Sequence, residues 1–170
     1  MEPLAELLAT NERQALEFFH VGLKDVSEPD VDPRELLYNA SVLAHYAQVS
    51  TQAHADVPAP AHLAAVFDQF VIDGSMHGDS VMLETAATQC LLLAGFFEPQ
   101  MRRRHNIRWY ANLGSGFFRR AAHLSRERKR AELLDTVGRH FEPWRARYAR
   151  LSHELQMQRY VIAPPASDDL

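Results

Sequence analysis

At 170 residues, 46% hydrophobic and 24% charged, the chain has the makeup of one ordinary globular domain, and disorder is excluded as its default state. Its single cysteine, Cys90, excludes an internal disulfide and, lying in an apolar run, reads as a packed thiol in a reducing compartment. The net charge of −4 hides a division: residues 1–85 hold 3 Lys+Arg against 14 Asp+Glu, and residues 86–170 hold 15 against 8. Such a division points either to two halves that face each other or to an anionic partner for the basic half.

The opening stretch, MEPLAELLATNER, has no basic region followed by an apolar core, so no secretion signal is expected. From Pro3 to about Val21, Leu4, Leu7, Leu8, Ala15, Phe18 and Phe19 recur at helical spacing, with a break near Thr10-Asn11. The segment KDVSEPDVDP, acidic and twice interrupted by proline, predicts an exposed connection. Asp32, Pro33 and Glu35 then stand at N-cap, N1 and N3 of a helix reaching about Gln52, with Leu36, Leu37, Ala40, Leu43, Ala44 and Ala47 as its stripe. A short Pro/Ala connection follows, and Pro60 starts an expected helix through Ile72 on Leu63, Val66, Phe67 and Phe70.

After a Gly-rich loop at 73–79, the central helix is expected from about Ser80 to Phe97, apolar on every side from Cys90 onward and therefore buried all round. That apolar run is far short of the ~20 residues a membrane span needs, so a cytoplasmic protein that does not enter the membrane is expected. Glu98-Pro99 ends the central helix and starts a short one through Arg104. Asn106 caps the next, Ile107 to about Leu124, and Ser125 the one after, with Ala131, Leu134, Val137 and Phe141 inward. Pro143 opens a last helix carrying Trp144, Tyr148, Leu151 and Leu155, and residues 163–170 form a flexible tail behind a single helical domain over 1–162. No segment has strand period. The expected fold is an all-α, single-domain bundle of about six to seven helices around the apolar helix near 81–97.

Catalytic and metal-binding constellations are incomplete. Glu17 and His20 make one Glu-x-x-His pair where a di-metal bundle needs two and further glutamates. His77, Asp79 and Ser80 sit together in one loop, whereas hydrolytic triads converge from distant positions. Asp25, Glu28, Asp30 and Asp32 lack the glycine and terminal glutamate of a calcium loop. Gly114 and Gly116 lack the third glycine and preceding strand of a dinucleotide site. His45, in an apolar stretch, reads as a partly buried imidazole. No metal or cofactor is expected, and an enzyme is the less favoured class.

What remains is Arg102, Arg103, Arg104 and His105, with Arg108, Trp109, Tyr110, Arg119 and Arg120 close behind. Guanidinium groups suit carboxylates and phosphates, and Trp and Tyr beside Arg are the residue types of interface hot spots. The same residues suit stacking on single-stranded nucleic acid. The bland reading is arginines paired with internal acids and Trp109 in the core.

Gly95-Phe96-Phe97, Met101, the arginines, Trp109-Tyr110, Leu113-Gly114 and Phe117-Phe118 resemble a pattern of an uncharacterised family of bacterial all-helical proteins: Gly-Phe-Phe-Pro, a Leu, an Arg pair, Tyr-Tyr, Met-Gly, Ala-Tyr. The resemblance spans residues 91–122, with Pro99 one place later and Trp109 for a Tyr. It implies a helical bacterial domain and no particular chemistry. The leading expectation is a regulatory or adaptor-like interaction protein, self-associating as a homodimer, that meets a protein partner through the Arg/aromatic residues. The alternatives are a nucleic-acid-binding regulator that uses the basic half, and a small-molecule binder that uses a pocket near Gly114 and Gly116.

Overall fold

The computed structural model describes residues 12–52, 78–102 and 106–162, and every element among them is helical. The expected helix over 60–72, the segment before Glu12 and residues 163–170 lie outside the described residues. The helices are α1 (Glu12–Asp25), α2 (Pro33–Gln52), α3 (Ser80–Leu91), α4 (Glu98–Met101), α5 (Ile107–Leu124), α6 (Arg128–Arg139) and α7 (Phe141–Ile162). The chain is an all-α, single-domain bundle.

Helix α3 starts where Asp79 accepts from the amides of Val81, at 2.8 Å, and Met82. Its inner face, Leu83, Ala86, Ala87, Cys90 and Leu91, is buried and runs into the buried Leu92, Leu93 and Ala94 that follow. The continuous helix expected to Phe97 is broken by a π-helical turn at Leu92–Phe96. That turn lies against α7 so closely that a Cβ on Gly95 would stand 2.8 Å from the Tyr148 Cβ and 3.0 Å from the Arg145 carbonyl oxygen. Widened turns of this kind alter the residue count per revolution, which lets both flanking faces reach their neighbours.

Helix α5 packs along α3 and α6, α1 along α2, and α7 across the π turn. Trp144, Tyr148, Phe118, Leu91 and Leu134 are fully enclosed between them, each contributing on the order of 2 kcal/mol of apolar burial. Three helix ends differ from expectation. Ser125 closes α5, its amide bonding the Ala122 carbonyl, and α6 is entered from Glu127. Helix α7 begins at Phe141, two residues before Pro143, which the first turn tolerates because its missing N–H has no partner there anyway. Helix α1 runs on to Asp25 past its expected end near Val21.

Glu35 departs furthest from its sequence reading. Asp32 does cap α2, accepting from the Arg34 amide at 2.8 Å. Glu35, however, turns inward, where it is only 4% exposed and takes the Trp144 indole N–H at 3.1 Å. His140 Nδ1 lies 2.9 Å from the same carboxylate oxygen. One turn on, the buried Asn39 accepts from the Tyr148 hydroxyl at 2.8 Å. These bonds fasten α2 to the α6–α7 corner. Among the described residues no buried side-chain nitrogen or oxygen is left without a partner, as an interior of low dielectric requires.

Candidate functional site

Helix α5 has two faces. Tyr110, Ala111, Gly114, Phe117, Phe118, Ala121 and Ala122 are buried at the three- and four-residue spacing of one helical stripe. Arg108, Trp109, Asn112, Gly116, Arg119, Arg120, His123 and Leu124 face outward. Trp109, Gly116 and His123 stand seven residues apart, two turns each, so they fall on one line down the middle of that face. Asn106 opens the helix by accepting from the Trp109 amide at 3.3 Å, which fixes where this stripe begins.

The residues expected to form the binding surface divide. Trp109 is 42% exposed, which overturns a core position for its indole. Its neighbour Tyr110 is 3% exposed and contributes packing, not surface; their rings meet edge-on at 4.9 Å. Tyr110 lies on the inward stripe with Gly114, Phe117 and Ala121, whereas Trp109 falls on the outward line with Gly116, so the two side chains part. Arg102 is exposed and paired with Glu98. Arg103, Arg104 and His105 lie outside the described residues. Arg108, Arg119 and Arg120 all stand on the outward face.

Much of the remaining basic charge is matched internally. Arg130 bonds Glu84, which also accepts from the Tyr38 hydroxyl at 2.8 Å. Burial, and then the Glu84 carboxylate, push the Tyr38 phenol well above its ordinary pKa. Arg145 pairs with Glu98 at 3.0 Å and with Glu142. Arg147 reaches Glu28 at 3.5 Å while its guanidinium lies 4.4 Å above the Trp144 ring. Arg128 and Arg139 pair along α6 with Glu132 and Asp135. By contrast, Arg108, Arg119 and Arg120 form no ion pair with any described residue. The acidic and basic halves therefore neutralise each other in part, through Glu84 and Glu28, and of the described arginines without an ion pair, three stand on α5, beside Arg126 in the turn after it and Arg150 on α7.

At the middle of this face the helix is bare. Gly116, Arg119, Arg120, His123 and Leu124 line a shallow open hollow of about 510 Å³. The two glycines of α5 are there for opposite reasons. A Cβ on Gly114 would stand 2.5 Å from Phe141 Cε2 and 2.7 Å from Cys90 Cβ, so internal packing demands its absence. A Cβ on Gly116 would meet nothing within 4 Å. Glycine in an exposed helix interior costs about 1 kcal/mol relative to alanine, and here no contact with a described residue offsets it.

The other constellations resolve into structural roles. Asp79 is the cap of α3 and the Ser80 hydroxyl donates to the Ala121 carbonyl at 2.9 Å; His77 lies outside the described residues. Glu17 pairs with Arg13 at 3.5 Å on the surface of α1. His45, read as partly buried, is exposed, because its place in the α2 stripe is taken by Leu43, Ala44 and Ala47. Burial pushes the Cys90 thiol well above its ordinary pKa, which keeps it protonated and unreactive. No group of three or more His, Cys, Asp and Glu that could hold a metal occurs among the described residues, and no helix there is long and apolar enough to cross a membrane.

Comparison of the chain with protein-family models, with curated proteins and with solved structures found no match.

Proposed function

We propose that the protein is a non-enzymatic, adaptor-like interaction protein that recognises a protein partner through the outward face of α5. One observation carries this reading. Arg108, Arg119 and Arg120 stand without an ion pair to any described residue beside a 42%-exposed Trp109, in a molecule whose other arginines are largely spoken for. Arg and Trp are the residues from which interface hot spots are most often built. Recognition of nucleic acid through the basic half is the weaker reading. Arg130, Arg139, Arg145 and Arg147 are already held by carboxylates, which leaves fewer uncommitted cations among the described residues to track a phosphate backbone.

The test is affinity capture from native cell extract with the intact chain, with Trp109→Ala and with Arg120→Glu. Both side chains are exposed, so both variants should keep the parent's helical circular dichroism. The reading expects the parent to hold a defined protein that both variants release. Equal capture by all three would place recognition elsewhere. Retention of single-stranded oligonucleotide, weakening steeply with salt, in place of a protein would favour the alternative.

A further inference from the structure

We infer that the partner element seated on α5 is an acidic helix of another protein, crossing at Gly116 with its carboxylates on Arg119 and Arg120. This rests on the reading that α5 is a recognition face and names what that face takes. Three features converge. The first is the missing side chain: Gly116 lies midway between Trp109 and His123 on the outward line of α5, and its open Cβ direction meets no described residue. Close approach of a second backbone is what a bare helix position permits, as small residues do wherever helices cross closely. A phosphate backbone or a small anion gains nothing from it.

The second feature is charge. Arg119 and Arg120 flank the notch, His123 lies one turn further on, and Arg108 lies two turns back, none of them paired with a described carboxylate. The stem of Arg119 is steadied against α6, where its Cγ would be 3.0 Å from a Cβ on Gly138, so its guanidinium is presented from a held base. A planar guanidinium takes a carboxylate in two parallel hydrogen bonds. The third is length and polarity: Trp109 and the 39%-exposed Leu124 bound the face about 22 Å apart, the length of four helical turns. The complement is therefore a helix of about four turns, acidic in the middle and apolar toward its ends.

Among the described residues, no helix of a second copy carries a row of uncommitted carboxylates. The exposed carboxylates Glu28 and Asp30 sit in the turn between α1 and α2, and Asp25 and Glu154 stand singly, at the end of α1 and on α7. Glu17 on α1 and Glu132 and Asp135 on α6 are already paired, with Arg13, Arg128 and Arg139.

The experiment titrates the full chain with a synthetic helix of about 20 residues, long enough to be helical alone, bearing glutamates four apart along one face and a leucine near each end. A proline-interrupted isomer of the same composition and a single-stranded oligonucleotide of similar length serve as comparisons, read by Trp109 fluorescence and calorimetry. The helix should bind, and the isomer about tenfold more weakly. Gly116→Leu, which fills the notch, and Arg119→Glu/Arg120→Glu should each weaken binding about tenfold or more. Gly116→Leu should melt no lower than the parent, so lost binding cannot be assigned to a damaged fold. Equal binding of helix and isomer, indifference to Gly116→Leu, or no binding of the helix would each overturn the inference. Native capture that still depended on Trp109 and Arg120 would meanwhile leave the broader reading standing. Concentration-dependent dimerisation abolished by Gly116→Leu would make a second copy the occupant and overturn the inference as well.

Discussion

Alanine placed at either glycine of α5 separates what the fold needs from what it does not. At Gly116 the new methyl meets nothing within 4 Å, so the substitution acts through the backbone alone. Replacing an exposed mid-helix glycine by alanine should stabilise by about 1 kcal/mol, a rise in melting temperature of about 2–4 °C for a chain of this size. At Gly114 the same backbone gain is opposed by sterics. The methyl would be driven to 2.5 Å from Phe141 Cε2 and 2.7 Å from Cys90 Cβ. The Cys90 Cβ is fixed to the central helix and cannot swing aside, and the Phe141 ring is itself buried against Phe118 at 6.1 Å between centroids. Overpacking of this kind costs about 1–3 kcal/mol, so Gly114→Ala should be neutral to destabilising by about 2 kcal/mol after the propensity gain. Urea unfolding of the two single variants, with slopes compared to confirm that only stability has changed, gives the difference directly. A Gly114→Ala protein as stable as Gly116→Ala would refute the packing of α5 against α3 and α7.

Other consequences can be checked with the same protein. Trp144→Phe removes a donor to the buried Glu35 carboxylate and should cost about 1–3 kcal/mol in urea unfolding, with much of that cost absent when Glu35 is already leucine; strict additivity in the double-mutant cycle would deny the bond. Cys90 should resist a disulfide-exchange reagent in the folded state and react fully in denaturant, whereas rapid native labelling would contradict its enclosure. Burial raises the Tyr38 and Tyr148 phenols above their unfolded value of about 10, so their contribution is complete below that pH and is lost as pH rises beyond it. The urea midpoint should accordingly fall from about pH 10 upward, and a flat profile there would argue against both placements.

The parts of the fold written in local spacing were legible in the sequence. Asp79 and Asn106 announced α3 and α5 because capping needs only a short polar side chain just ahead of an apolar period. The all-round apolar stretch from Cys90 announced a buried element, but its π turn was not legible. A segment apolar on every side carries no period, so nothing in it reports how many residues make a revolution. Glu35 was misread for a related reason. Its position three residues after Asp32 matches a capping box, while the groups that claim it, His140 and Trp144, lie more than a hundred residues away. Ser125 has the side chain of an N-cap, yet it closes α5, and α6 is entered from Glu127, whose side chain makes no cap bond.

The candidate surface was half legible. Clustered arginines and aromatics draw attention to α5, but Tyr110 belongs to the inward stripe that 110, 114, 117 and 121 already mark. The same wheel, drawn outward, leads from Trp109 through Gly116 to His123. Which arginines remain uncommitted was invisible, since it depends on Glu84, Glu28 and Glu98 arriving from other elements.

Site-specific photo-crosslinking in living cells tests the central claim most directly. A photo-reactive phenylalanine at Asn112, exposed on α5 one turn before Gly116, is compared with one at Ala146, exposed on α7. The account predicts a discrete protein adduct from position 112, lost when Arg119 and Arg120 are changed to glutamate, and none from position 146. No adduct at 112, or the same adducts from both positions, would contradict it.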